Sequence, residues 1–413
     1  MEKYNEHKET NVFWQTMMPK HWCVMKLRYI LRKLQREKKP NAELLVCSNS
    51  GRVNIKGDNK LGLVAEDDKI YQGVGKGDLL IHGMDTWHGA IAVSEYDGMC
   101  TPVVHVCDST QNKSFIAYYL RNMAYEKVFK LISNGVRQNT SDFRCWDKLA
   151  VVPIILPPLA EQNSIVSYLD TKYSQLDTLL SNKEKEISLL QEMKQRVIAD
   201  AVIRGINPNV KFKTTNIPWL PEIPEHWEMS KVSSHFRQRN VKVSDKEYPA
   251  LSVSKMGVTP QLDNVALSNA EGNSRKLVKI GDYAVNSRSD RKGSCGVSQY
   301  EGSVSLITIV LEPFDIDRGY VHYLFRSNPW IEEFYRNGRG IVADLWTTNY
   351  QMMKGMYLPV PPLSEQHSIV SYITERASKI DLLIEKLNKE IESIKEYKQR
   401  LISDVVTGQV KVC

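Results

Sequence analysis

No run in this chain approaches the ~18–20 consecutive apolar residues that a membrane span requires. Its first residues, MEKYNEHKET, are charged and lack the apolar centre of a secretory signal. Cysteine is sparse: seven residues, at 23, 47, 100, 107, 145, 295 and 413, an odd number with no C-x-x-C spacing. That excludes an obvious disulfide or zinc framework and points to free thiols in a reducing cytoplasm. Catalytic signatures are also missing. There is no G-x-x-x-x-G-K-[ST], since the GVGKG at Gly73–Gly77 lacks both the spacing and the hydroxyl and reads as a turn. There is no H-E-x-x-H, and the nine histidines show no metal-ligand spacing. Asn-Pro-Pro followed by an aromatic, the mark of amino-methyltransferases, does not occur; Asn328-Pro329-Trp330 lacks the second proline and reads as a turn near a helix. The expectation is a chain with no catalytic residue, no metal and no cofactor of its own.

What is present is a soluble-type composition, 42% hydrophobic and 25% charged. At 413 residues the chain is long enough for two to four domains. The formal charge of +7 is a modest excess, but it is unevenly placed. Ser230–Tyr300 holds twelve Lys/Arg against six Asp/Glu, and His21–Pro40 holds seven against one, Glu37. Basic patches on a near-neutral background suit a polyanion such as DNA, with an ordinary solvated surface as the plain alternative.

The chain repeats itself. Residues 156–168 read LPPLAEQNSIVSY and residues 360–372 read VPPLSEQHSIVSY, an offset of 204. The same offset pairs Asp177 with Asp381, Lys194-Gln195-Arg196 with Lys398-Gln399-Arg400, and Asp200 with Asp404, with no gap. Upstream the match is weaker. Gly77-Asp78 pairs with Gly281-Asp282, Gly89 with Gly293 and Tyr96 with Tyr300, while Pro19, His21 and Trp22 recur one register later as Pro224, His226 and Trp227. Each half is therefore a divergent globular part followed by a well-matched helical part. Two like scaffolds with unlike heads suggest one job done on two targets, and a period this long is no solenoid.

Each matched stretch opens with Pro-Pro-Leu and then Glu-Gln, a helix start in which proline pre-sets the first turn and the acid faces the positive end of the dipole. No Pro or Gly follows until Gly205 and Gly408, so helices are expected over Leu159–Arg204 and Leu363–Thr407. Leu169, Tyr173, Leu176 and Leu180 begin a four-three apolar seam, and Ile373, Ala377, Ile380 and Ile384 begin its counterpart. Lys194 and Lys398 fall on that seam, either fixing register or snorkelling to water. A helix of ~45 residues is roughly 65 Å long, farther than the intervening head should reach, so the two helices are expected antiparallel. The fold class expected is α+β: two mixed heads separated by an antiparallel two-helix coiled coil, with a pseudo-twofold internal repeat. The boundaries are 1–156 for the first head, 157–206 for the first helix, 207–227 for a linker, 228–360 for the second head, and 361–413 for the second helix and C-terminus.

In the heads, short β-rich runs such as Asp78–Ile81 and Val304–Val310 are followed by helical patterns near Phe115–Ile132 and Tyr320–Tyr335. Loops between such elements carry recognition. Arg137, Gln138 and Asn139 form one polar cluster; Arg288, Arg291 and Lys292 form another; Arg336 and Arg339 flank glycines; and His88 stands beside Trp87. Arginine pairs with guanine and Asn or Gln with adenine, while glycine lets backbone approach phosphate. For each residue alone, a solvated surface group is the plain alternative.

The doubled P-P-L-x-E-Q helix, with IPWLPEIPEHW (217–227), GDLLIHGMDTWHGAIAVSEYDG (77–98) and GRGIVADLWTTNY (338–350), resembles type I restriction-modification specificity subunits over nearly the whole chain. The resemblance implies two target-recognition domains, each reading one half of a split, asymmetric site on double-stranded DNA. It implies paired helices that act as a spacer and dock two methyltransferase subunits, with motor-nuclease subunits able to join. S-adenosylmethionine would belong to the methyltransferase partners and to no site in this chain. Docking residues are expected among Glu161, Gln162, Tyr168 and their counterparts Glu365, Gln366, Tyr372, for which helix capping or packing is the alternative. A self-contained methyltransferase or nuclease, or an adaptor with no DNA role, are the competing readings.

Overall fold

The computed structural model describes residues 2–37, 39–57, 70–133, 143–261, 274–340 and 346–412. The chain divides into two compact units, Met1–Lys183 with Lys389–Cys413, and Glu184–Asn388. Each is mixed helix and sheet. Each contains one head, the start of its own long helix, and the end of the other long helix. Among the described residues no helix is long and apolar enough to cross a membrane.

The first unit is built on a four-stranded antiparallel sheet in the order Arg32–Lys33, Val104–Asp108, Leu79–His82, Ile91–Val93. Because side chains alternate across a strand, Leu79 and Ile81 face a core shared with the helix Lys113–Tyr125, while Leu80 joins Val104 and Val106 in a second core under the hairpin Leu45–Cys47/Val53–Ile55. Both faces are covered, so the strand reads as a continuous apolar run. Burial pushes the thiols of Cys47, Cys100 and Cys107 up to about 12, so these residues act as small apolar side chains rather than nucleophiles.

The second unit repeats this plan. Its sheet runs Phe236–Gln238, Thr308–Pro313, Tyr283–Asn286, Cys295–Val297. Tyr283 and Val285 face the helical core, and Ala284 faces Val304 and Val310. The run Val304–Val310 is two strands, not one: Gly302–Ser305 and Thr308–Pro313 belong to different sheets, and the exposed Leu306 and Ile307 form the turn between them. The pattern Tyr320–Tyr335 is likewise two helices, Arg318–Leu324 and Asn328–Arg336. Asn328-Pro329-Trp330, expected as a turn, opens the second of these, with proline in its first turn and Trp330 stacked 4.4 Å from Phe325 in the core. Residues 207–227 are more than a linker, because Phe212–Ile217 and Leu220–Pro224 form a hairpin.

The long helices span Leu159–Arg204 and Leu363–Val406, close to the bounds expected from proline and glycine. Within the first unit Lys183 meets Glu390 at 2.5 Å and Asp177 meets Lys398 at 2.5 Å, so the helices run antiparallel there. Within the second unit Lys194 meets Asp381 at 2.6 Å. Both seam lysines therefore land on the aspartate found at the same repeat position of the opposite helix. These pairs are partly exposed and worth less than about 1 kcal/mol each, so their effect is on register more than stability.

Candidate nucleic-acid interface

In the second unit the strand Tyr283–Asn286 runs out into a loop with a single 3-10 turn, Ser289–Arg291, capped by Lys292 and followed by Gly293 at φ +77°. A second loop follows the helix Asn328–Arg336. Thr347 joins the two, bridging to the backbones of both Arg288 and Arg339. Thr348 N–H donates to Ser287 O (2.9 Å) and Ser289 N–H to Trp346 O (2.8 Å). The Tyr335 hydroxyl donates to Asn286 O (2.8 Å) and lies 3.2 Å from Arg291 O. Arg288, Arg291, Lys292, Arg336 and Arg339, separate in sequence, thus gather on one pair of stitched loops.

Acidic neighbours partly offset this charge. Arg288 lies 3.0 Å from Asp290, Lys292 2.9 Å from Glu332, and Arg336 3.4 Å from Glu333, while Arg291 is 3.8 Å from Asp290. All are surface pairs worth less than about 1 kcal/mol, so a phosphate or base edge could draw these cations away at small cost.

The first unit carries a similar turn, set one residue later in the repeat. Thr86–His88 is a 3-10 turn closed by Gly89 at φ +81°, and the 204-residue offset sets Trp87 and His88 on Arg291 and Lys292. The chemistry differs. Trp87 is half-buried against the core with the Lys130 ammonium 5.6 Å from its ring centroid, and exposed His88 lies against it at 4.0 Å. Arg137, Gln138 and Asn139 lie outside the described residues. Just past them, Phe143 O is held 2.7 Å from Nε2 of buried His105. Burial lowers the pKa of His105 and of His82, so both imidazoles are neutral near pH 7 and act as anchors rather than charges.

The six helix-start residues are placed differently from expectation. Gln162 and Gln366 are 0% and 2% exposed, so neither side chain is available to a partner. Their amide oxygens accept from the backbone N–H of Asn112 (3.0 Å) and Asp317 (2.8 Å), and their amide nitrogens donate to Pro157 O and Pro361 O, both at 2.8 Å. Asn112 and Asp317 in turn cap the head helices Lys113–Tyr125 and Arg318–Leu324. The glutamines therefore lash each long helix to its head, which corrects their assignment as partner-binding residues. Glu161 accepts from Tyr4 and lies 2.8 Å from His21 Nε2, and Glu365 lies 2.7 Å from His226 Nε2. The signal for these joints was in the sequence, since His21 and His226 recur with the same spacing to a buried tryptophan, Trp22 and Trp227. Tyr168 and Tyr372 are half-buried, the first with its hydroxyl pKa raised by burial, the second under Arg376, whose guanidinium is 5.3 Å from the ring centroid.

The exposed apolar groups on the long helices are Leu159 and Leu363 at the two helix starts, with Leu189, Met193, Leu382 and Leu383 farther along in the second unit and Leu179 and Tyr397 in the first. Those farther along the helices flank the apolar seam, so the four-three pattern does not mark them. Among the described residues no group of three or more His, Cys, Asp or Glu could hold a metal ion.

No family model matches the chain. It is 26% identical over 372 residues to the type I restriction enzyme MjaX specificity subunit of Methanocaldococcus jannaschii, covering 87% of this chain and 77% of that one. It is 21% identical over 326 residues to the StySPI specificity subunit of Salmonella potsdam, 72% of this chain and 65% of that one. Among solved structures, a chain from work on complex assembly and conformational transition of the type I R-M system superposes with a TM-score of 0.71 at 14% identity, covering 95% of this chain and 99% of that one. The HsdS subunit of Thermoanaerobacter tengcongensis superposes at 0.54, again at 14% identity, with 95% and 98% covered. At these identities the structural matches speak for the fold.

Proposed function

We infer that this chain belongs to the specificity subunits of type I restriction-modification systems and directs partner enzymes to a two-part DNA sequence. The observation that carries this reading is the duplication: two P-P-L-x-E-Q helices joined to their heads by the same atoms, bearing loops of unlike chemistry at the same positions. The named relatives support it. In this reading each unit reads one half of a split, asymmetric site on double-stranded DNA. The chain recognises and does not catalyse. S-adenosylmethionine-dependent methylation of adenine belongs to two methyltransferase subunits, and motor-nuclease subunits complete a restriction assembly.

The long helices serve as spacer and dock. Their seams make an antiparallel coiled coil, and the exposed Leu189, Met193, Leu382 and Leu383 offer an apolar face to a methyltransferase partner. This replaces the buried glutamines as the docking candidate. Methylation mapping in cells with and without the gene tests the assignment, because a split methylated motif should vanish on deletion. Native mass of the purified complex tests the partner count: two methyltransferase subunits per chain are expected, and a stable one-to-one complex at saturating partner would overturn that count. Adding one heptad to both helices should lengthen the spacer by about 10 Å, roughly three base pairs of added separation. Full activity at the original spacing would end the spacer reading.

A further inference from the structure

Each head carries a third loop that neither the sequence patterns nor the relatives single out. In the second unit the hairpin Leu251–Ser254/Gly257–Pro260 turns through Lys255 and Met256, with Gly257 at φ +107°. In the first unit the hairpin Leu45–Cys47/Val53–Ile55 turns through Ser48–Arg52, with Gly51 at φ +74°. Both hairpins are seated in the same way. A Cβ at Gly98 would stand 2.6 Å from Glu43 O and 2.7 Å from Leu45, and one at Gly302 would stand 2.5 Å from Pro249 O and 2.8 Å from Leu251.

Both tips are also clamped by an arginine nine residues past the cap of the head helix. Arg326 donates to Lys255 O (2.5 Å) and to Cys295 O (2.9 Å). Arg121 donates to Ser50 O (3.0 Å). The clamp aims each tip at the turn already described. Cys295 opens the strand that follows Lys292, and a Cβ at neighbouring Gly296 would lie 3.1 Å from Gly257 Cα. In the first unit a Cβ at Gly89, the residue after His88, would lie 3.7 Å from Asn49 O. Each tip therefore adjoins the turn of its own unit, yet the side chains of the two tips differ. Met256 is 85% exposed, and Lys255 beside it is also exposed; the first unit shows Asn49 and Ser50 instead.

We propose that these hairpin tips are a third DNA-contacting element in each unit, with Met256 making an apolar contact to base edges and Asn49 a hydrogen-bonded one. The proposal rests on the DNA-reading function above. A methionine so exposed on a two-residue turn adds nothing to folding. Its unbranched, polarisable chain suits a thymine methyl or the edge of a base step. Lys255 beside it suits phosphate, which positions without specifying. Asn49 offers the donor and acceptor pair that reads adenine.

The test uses the complete complex of this chain with its methyltransferase subunits, by binding and by methylation mapping. Met256→Ala should weaken binding to the cognate site by roughly tenfold, the scale of one mismatched base pair, and relax preference at one position of one half-site. Asn49→Ala should relax the other half-site only. Lys255→Ala should weaken cognate and unrelated DNA alike and reduce the salt slope by about one phosphate. Unchanged affinity and motif for both Met256→Ala and Asn49→Ala, in variants whose thermal unfolding matches the parent, would overturn the tips while leaving the function standing. An unaltered complex that marks no split site would overturn both.

Discussion

The two units agree where a head meets its helix and differ where a loop meets solvent. At the junction the agreement is atomic. Gln162 and Gln366 each take a backbone N–H from a helix cap and give an N–H to a proline carbonyl, and Glu161 and Glu365 each hold a histidine. At the loops, the repeat positions around a 3-10 turn present a half-buried tryptophan with a histidine in one unit and an arginine with a lysine in the other. The lesson is that the two copies keep the same side-chain clasp at their buried, doubly hydrogen-bonded joints. The turns at the surface, each followed by a left-handed glycine, carry unlike side chains in the two units. That is what a protein needs if one scaffold must read two unrelated half-sites.

The largest effect should come from the joints themselves. Trp22→Ala and Trp227→Ala each remove a fully buried indole, and each should cost about 3–5 kcal/mol in denaturant unfolding. A large loss for one and none for the other would break the equivalence of the units. Next, Gln162→Leu and Gln366→Leu leave a backbone N–H and a proline carbonyl unpaired, at about 1–3 kcal/mol each. Partner capture by the folded variants should be unchanged; normal stability with lost capture would restore these glutamines to a docking surface.

The loops should then differ between the units. Arg291→Ala should cost about 1–3 kcal/mol of DNA binding, confined to one half-site, if its guanidinium reads a base. An equal loss on random DNA would demote it to a phosphate contact. His88→Ala should instead relax the other half-site and leave the one read by Arg291 unchanged.

The smallest effect concerns acid. Burial, and then Arg326, lowers His322 from 6.5 to about 4, and the equivalent position in the first unit is Ala117. Between pH 6.5 and 4 the unfolded chain binds this proton and the folded chain does not, so stability is lost as pH falls through that window. The contribution should be on the order of 1 kcal/mol once solvent screening is allowed for. His322→Asn should flatten that part of the unfolding profile, and an unchanged slope would remove His322 as its source.

Much of the architecture was legible before any coordinates. Helix ends followed from Pro158 and Gly205, and from Pro362 and Gly408, because proline and glycine act locally on the backbone. The head strands were read less well. Val304–Val310 looked like one strand because an apolar run carries no mark of a turn when Leu306 and Ile307 form it. Asn328-Pro329 looked like a turn because proline marks helix starts and turns alike.

The sequence by itself determined the duplication, the two long helices and the residue types on offer to DNA, because periodicity and repetition are properties of order along a chain. Only the tertiary structure decided which of those residues act together. Arg288 and Arg339 become neighbours through Thr347, and Gln162 turns from a surface candidate into a buried clasp. Lys194 finds Asp381 across the helix pair, and Met256 is held beside the Lys292 loop by Arg326. Each of these depends on at least one contact between residues 50 or more positions apart, for which a single sequence has no local signal.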